Sequence, residues 1–297
     1  NEIQLCDQLG FDTAWLSEHH FDGATAYVDP VVFASAIAAR TKRIKIGFAV
    51  AQMALHHPIR FAEQIALIDN ISQGRMIVGV GRGTAYNFYE FRGYGIDPAE
   101  AHERLLEVEQ ILREAWTSQN YQHDGKFWQV RLPELRPQVF QKPHPPIVRA
   151  CSGLESTLEM ARKGRPFMMN IQSDETTRDR MDQYRQTMSH AGYDDAAIAR
   201  NVNDTWVWRN VFVADTDAEA ETIGVPCFRA MRAYLSENRQ RLNTSEELAM
   251  QSSAVTGAAR DSVDHGLIHG SPETVCEKLT ALRDIGVGGI IIHFRLG

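Results

Sequence analysis

The strongest constraint in this sequence is an alternation that runs from end to end. Short apolar runs are separated by segments whose apolar residues return every three or four positions. A short run bounded by turn residues reads as a buried strand, and the longer period as a helix with one face on a core. Residues 1–10 read as the last turns of a helix, with Gly10 suited to a C-terminal cap. A strand is predicted over 13–17, and Asp29-Pro30 opens a helix over 31–40 as N-cap and first-turn proline. A strand over 43–50 is followed by a helix from Pro58 to Gly74, with Phe61, Ile65 and Ile68 on one face, and then by a strand over 76–80. Pro98 opens a long helix to about Trp116, and 121–130 carries Asp124-Gly125 at its centre, a two-residue hairpin signal. Strands over 146–150, 167–171 and 205–214 alternate with helices over 156–163, over 176–191 and from Asp217. Ser271-Pro272-Glu273-Thr274 opens a helix to about Ile285, before a last strand over 289–294.

Seven strands alternating with helices imply parallel βαβ units. With 297 residues, the expected fold is an α/β (β/α)8 TIM barrel with insertions, a class that typically takes ~250 residues. Because the chain opens inside a helix, the first strand is expected before Asn1 and the last helix after Gly297. A doubly wound sheet would call for GxGxxG after an early strand. Gly79-Val80-Gly81-Arg82-Gly83 has a different spacing and no acid in place downstream. No repeat or linker divides the chain, so 1–297 is expected to be a single domain. The polar, unpatterned stretch 224–269 reads as an insertion or lid.

Composition narrows the function classes. A net charge of −7 and the lack of a Lys/Arg block exclude a general nucleic-acid binder. No run approaches ~18 apolar residues, so no membrane-spanning helix is expected, and no basic-plus-apolar leader is visible. Cys6, Cys151, Cys227 and Cys276 are far apart and form no CxxC. They read as reduced thiols of a cytoplasmic protein.

In a barrel the chemistry gathers at the C-terminal ends of strands. Those ends supply Glu18-His19-His20, Ala49-Val50, Gly81-Arg82-Gly83, Cys151-Ser152-Gly153 and Asn170. Two imidazoles beside a carboxylate suit acid–base work near neutral pH; one histidine satisfying a backbone carbonyl is the plainer reading. Adjacent histidines in extended chain point to opposite sides, which disfavours a zinc site, and no metal is expected. His56-His57-Pro58 leads into a helix and reads as structural. Arg82 between two glycines offers a planar fork to an anion that the backbone can approach closely. Ser152, Gly153 and Ser156 lie where a strand hands over to a helix, whose free N–H groups attract phosphate. There is no GxSxG and no P-loop, and the second carboxylate that a glycosidase needs is not evident.

These motifs coincide with those of a known family. Trp15-Leu16-Ser17-Glu18-His19-His20-Phe21, His57-Pro58-Ile59-Arg60-Phe61-Ala62-Glu63-Gln64 and Leu67-Ile68-Asp69-Asn70-Ile71-Ser72-Gln73-Gly74-Arg75 all match. So do Gly79-Val80-Gly81-Arg82-Gly83, Pro145-Pro146-Ile147 and Val213-Ala214-Asp215-Thr216-Asp217. With these segments in one consistent order, the chain resembles the bacterial luciferase-like flavin monooxygenases. The resemblance implies a barrel, usually dimeric, that uses reduced FMN and dioxygen or a reduced deazaflavin. It implies that Arg82, Gly83 and Arg104 hold the flavin phosphate with Ser152, Gly153 and Ser156. It also implies a non-prolyl cis peptide at Ala49-Val50 under the flavin ring. His19 matches the active-site histidine, with His20 beside it, and Glu18 or His20 is expected to orient it. Two departures stand out: Gly81 replaces a cysteine of bacterial luciferase, and Ser152 replaces its phosphate-loop glutamate.

The activity so implied is a monooxygenase acting through a flavin hydroperoxide on a small organic substrate. A separate flavin reductase would supply the reduced FMN, because no NAD(P)H fingerprint is visible. A homodimer is expected, with no nucleic acid or membrane as partner. The alternatives on the same fold are a deazaflavin-dependent hydride-transfer enzyme and a non-catalytic flavin-binding subunit.

Overall fold

A computed structural model describes residues 1–25, 27–83, 86–251 and 257–296. Two units divide the chain, Asn1–Val148 and Arg149–Gly297.

The first unit opens with α1 (Glu2–Leu9), ended by Gly10 at φ 85° as a left-handed cap. β1 (Thr13–Leu16) leads to α2 (Pro30–Arg40). The Asp29 carboxylate caps α2 by accepting from the N–H groups of Val31 and Val32 at 2.9 and 3.1 Å. β2 (Lys45–Phe48) and the short β3 (Ala51–Gln52) are joined through a cis peptide at Ala49-Val50, as the resemblance implied. α3 (Pro58–Ser72), β4 (Met76–Gly81), α4 (Phe88–Gly93) and α5 (Ala101–Thr117) follow. β1 pairs β2, and β2 and β3 pair β4, all in parallel. Registers Leu16↔Phe48 and Gln52↔Gly81 therefore bring three strand C-termini to one edge.

The apolar faces explain this packing. Phe61, Ile65 and Ile68, one stripe of α3, are buried against Ile46, Phe48, Val78 and Val80 of the strands. Leu105, Val108 and Leu112 of α5 complete the same core. Gly47 is obligatory here, because an added Cβ would lie 2.4 Å from the Trp15 ring.

The hairpin differs from its sequence signal. β5 (Tyr121–Asp124) pairs β6 (Gln129–Leu132) with Asp124 opposite Gln129, so residues 125–128 form the loop. The expected two-residue turn at Asp124-Gly125 is replaced because the Glu107 carboxylate of α5 accepts from the N–H groups of Phe127 and Trp128, at 3.1 and 3.0 Å.

The second unit continues the alternation with β7 (Ile147–Cys151), α6 (Leu154–Arg162), β8 (Phe167–Met169), α7 (Asp174–His190), α8 (Asp195–Asn203) and β9 (Trp206–Val213). β7 pairs β8, and β8 pairs β9, in parallel. α9 (Asp217–Leu242) is 26 residues long and runs straight through Pro226. The first part of the stretch read as an insertion is therefore helix. α10 (Ser245–Gln251), α11 (Gly257–Asp261) and α12 (Val263–Gly266) follow; residues 252–256 lie outside the described residues. β10 (Leu267–Gly270) is a strand that the sequence reading did not mark. It pairs β9 in parallel, as β11 (Gly289–His293) does after α13 (Pro272–Asp284). Met160, Phe167, Met181, Tyr184 and Val207 form one core of this unit. No helix among the described residues is long and apolar enough to cross a membrane.

Candidate active site

Just past the C-terminal end of β1, Glu18 is 3% exposed. Its carboxylate accepts from the backbone N–H of Gln52 at 2.6 Å and lies 3.0 Å from His20 Nε2 and 2.9 Å from His56 Nε2. Burial pushes the carboxyl up, but the bonds from His20, His56 and the Gln52 N–H outweigh it and hold the group well below the usual carboxylate range. The reciprocal effect falls on His20. Burial lowers it, the bond to Glu18 raises it, and the net is a histidine protonated to higher pH than usual. The Tyr94 hydroxyl lies 3.2 Å from His20 Nδ1.

A second buried carboxylate, Glu90 of α4, stands opposite and is fully enclosed. His19 Nδ1 donates to it at 3.0 Å, the His20 backbone N–H at 3.1 Å, Asn87 Nδ2 at 3.2 Å and Gln52 Nε2 at 2.7 Å. These donors outweigh the effect of burial, so Glu90 also stays ionised below the ordinary range. Gln52 links the two acids, since its Nε2 also donates to the Glu18 carbonyl at 2.8 Å. The adjacent histidines thus turn to different partners, as extended backbone requires.

An ionised carboxylate only accepts, so the bond to Glu90 is one that His19 Nδ1 donates, and Nε2 bonds to neither buried carboxylate. The His19 side chain is 33% exposed. A carboxylate that holds one nitrogen of an imidazole can orient the other for proton transfer.

Arg82 is exposed at the end of β4 and has no partner among the described residues. Gly83 follows at φ 97°, where a Cβ would lie 2.6 Å from Gln52 Oε1 and 2.7 Å from Phe91 Cζ. Arg104, on α5, pairs with Glu100 at 2.8 Å, and its guanidinium lies 4.4 Å from the Phe127 ring centre. Ala49 and Val50 are half-buried at the cis bond, with the Ala49 N–H donating to Leu16 O at 2.8 Å.

In the second unit, Gly153 is the N-cap of α6 and a Cβ there would meet nothing within 4 Å. The first N–H groups of this helix have no acceptor within it. Ser152 is exposed, and the Ser156 hydroxyl donates to Gly153 O at 2.8 Å.

The profile of the luciferase-like monooxygenases matches residues 2–289. The chain belongs to that family. It is 35% identical over 145 residues to the oxygenase component of the flavin-dependent trigonelline monooxygenase of Acinetobacter baylyi, a match covering 48% of this chain and 40% of that protein. The chain spans 40% to 48% of the length of three such curated relatives. Among solved structures, the monooxygenase RslO1 of Streptomyces bottropensis superposes with TM-score 0.78 and 28% identity over 98% of this chain and 83% of that one. The oxygenating constituent of 3,6-diketocamphane monooxygenase of Pseudomonas putida, solved with FMN, superposes with TM-score 0.77 and 21% identity over 99% and 85%. An F420-dependent reductase of Methanopyrus kandleri shares the fold, with TM-score 0.70 and 18% identity over 98% and 87%. The luciferase-like TIM-barrel fold class is thus shown, and the fold alone does not choose between the two cofactors.

In this luciferase-like chain the sequence reading located Glu18, His19 and His20 but missed Glu90, Gln52 and the bond from His56. Glu90 lies between Tyr89 and Phe91. A lone acid in an aromatic run was the one signal available. His56 does lead into α3, as expected, but its imidazole also reaches back to Glu18.

Proposed function

We propose that this chain is the oxygenating component of a flavin-dependent monooxygenase. It would take reduced FMN from a separate reductase and use dioxygen to oxygenate a small organic substrate. The observation that carries this reading is the His19–Glu90 pair, which holds a part-exposed imidazole just past the end of β1. The flavin-dependent name of the trigonelline relative supports FMN over a deazaflavin.

The residues present fit such a cofactor. Arg82, with no partner among the described residues, would offer its guanidinium to an anion, and the cradle at Gly83 admits no side chain. At the 152–156 turn, Gly153 and the first N–H groups of α6 would hold the phosphate, with the Ser152 and Ser156 hydroxyls beside them. In the first unit, Arg104 would offer its guanidinium to an anion in exchange for Glu100. Ala49 and Val50 would support the ring from the cis bond.

Reduced FMN, when bound, supplies the electrons that activate dioxygen. His19 Nε2 accepts and returns the proton that oxygen transfer requires. The Glu90 carboxylate stabilises the imidazolium formed and keeps the ring in place. Glu18, with His20, His56 and Gln52, fixes the strand end that carries His19.

The test is a binding titration with FMN and F420, each oxidised and reduced, followed by oxygen uptake with a substrate panel. Preference for reduced FMN with substrate-dependent oxygen uptake is the expected result. Preference for F420 with no oxygen uptake would replace this reading by hydride transfer. Flavin binding with no turnover on any substrate would point to an accessory subunit.

A further inference from the structure

We propose that Arg180 is the positioning residue of the phosphate turn in the second unit, a buried cation whose counter-ion is the ligand's phosphate monoester. The inference rests on the reading of the 152–156 turn as a phosphate site.

Arg180, on α7, is 9% exposed. Its Nη2 donates to the carbonyl of Ser152 at 3.2 Å. Its Nη1 is enclosed and has no hydrogen-bond partner among the described residues. No carboxylate pairs with it among the described residues. The other deeply buried arginines of this unit are matched: Arg149 with Glu159 at 2.9 Å, and Arg209 with Asp174 at 3.1 Å. A cation removed from water without an anion is costly. Its placement directly behind a helix N-terminus with open space at Gly153 says where the anion belongs.

The backbone supplies the mechanism. A trans peptide points its C=O and N–H in opposite directions. Holding the Ser152 oxygen toward Arg180 turns the Gly153 N–H away from the buried guanidinium. The charge behind the carbonyl also polarises that peptide and strengthens its N–H as a donor. Arg180 therefore acts through the turn, by orienting one donor and adding positive potential to those of α6.

The probes are FMN and riboflavin, which share a ring and differ in the phosphate, bound to the wild-type chain and to Arg180→Gln and Arg180→Lys. Wild type should prefer FMN. R180Q should lose about tenfold in FMN affinity, in line with the loss of a positive charge behind a helix N-terminus, with riboflavin unchanged. R180K should keep the preference within about threefold. The wild-type preference should also weaken below pH ~6, where the phosphate takes its second proton, and this dependence should flatten in R180Q. Equal losses for both ligands in R180Q would mark a structural role and overturn the proposal. So would an unchanged R180Q, leaving the phosphate reading of the turn intact. A wild type that binds riboflavin as well as FMN would remove that reading and the proposal together. If R180Q fails to fold, R180K decides: a folded R180K with no FMN preference overturns the proposal.

Discussion

His19 and Glu90 lie 71 residues apart in the chain and 3.0 Å apart in space. Glu90 also receives the His20 backbone N–H, Asn87 and Gln52. One carboxylate thus fixes the ring of His19 and the backbone of the residue after it. The orientation of the candidate base depends on a residue of α4, an element with no catalytic signature of its own.

Replacing Glu90 by Gln keeps the size and removes the charge that accepts from His19 Nδ1. Turnover should fall roughly 10²-fold, the lower end of what a positioned acid–base group contributes. FMN affinity should hold within about threefold. Steady-state rates beside a binding titration separate the two effects.

His19→Ala removes the base and leaves both carboxylates with their other donors. Flavin binding should persist while oxygen consumption uncouples from product, appearing as hydrogen peroxide. A peroxide assay against substrate consumed measures the coupling; full coupling in this variant would sink the assigned role.

Stability should depend on pH through Glu18 and His20. Glu18 is held below its ordinary 4.5, so its contribution is complete above that pH and lost as pH falls toward the lowered value. His20 is raised above its ordinary 6.5, so its contribution is complete below that pH and lost as pH rises through the raised value. Both are present between about pH 4.5 and 6.5. Breaking a buried pair costs roughly 3–5 kcal/mol. The difference in unfolding free energy between wild type and Glu18→Gln should therefore peak in that window and shrink on either side.

Gly83→Ala should destabilise the chain by about 1–3 kcal/mol, because it combines a strained φ with an overpacked Cβ. The Cβ would lie 2.6 Å from Gln52 Oε1, so Gln52 must shift from its bonds to Glu18 and Glu90. The midpoint of denaturant unfolding reports the first effect, and a fall in oxygenation rate the second.

The alternation was legible in the sequence because each strand and helix carries its own period. Asp29, Pro58 and Gly74 marked boundaries within a residue or two. β10 was not legible, since Leu267 and Ile268 are too short a run to show a period. The second half of α9 was obscured because polar residues interrupt the apolar ones after Gly224, so no clear helical stripe shows. At the site, Glu18, His19 and His20 were visible as a local cluster. Glu90, Gln52 and the inward turn of His56 were not, because only tertiary folding brings them to β1. The cis bond at Ala49-Val50 came from family resemblance, not from any local property of those two residues.

The hold of Glu107 on the 125–128 loop has an evolutionary consequence. Its carboxylate grips backbone N–H groups at Phe127 and Trp128, so their side chains take no part in that grip. Gly125, by contrast, cannot gain a Cβ, which would collide with Glu107. A non-aromatic substitution at 127 therefore leaves the backbone bonds of the tip in place and removes the ring beneath the Arg104 guanidinium, whereas Trp128 is tied by its packing on the core as well.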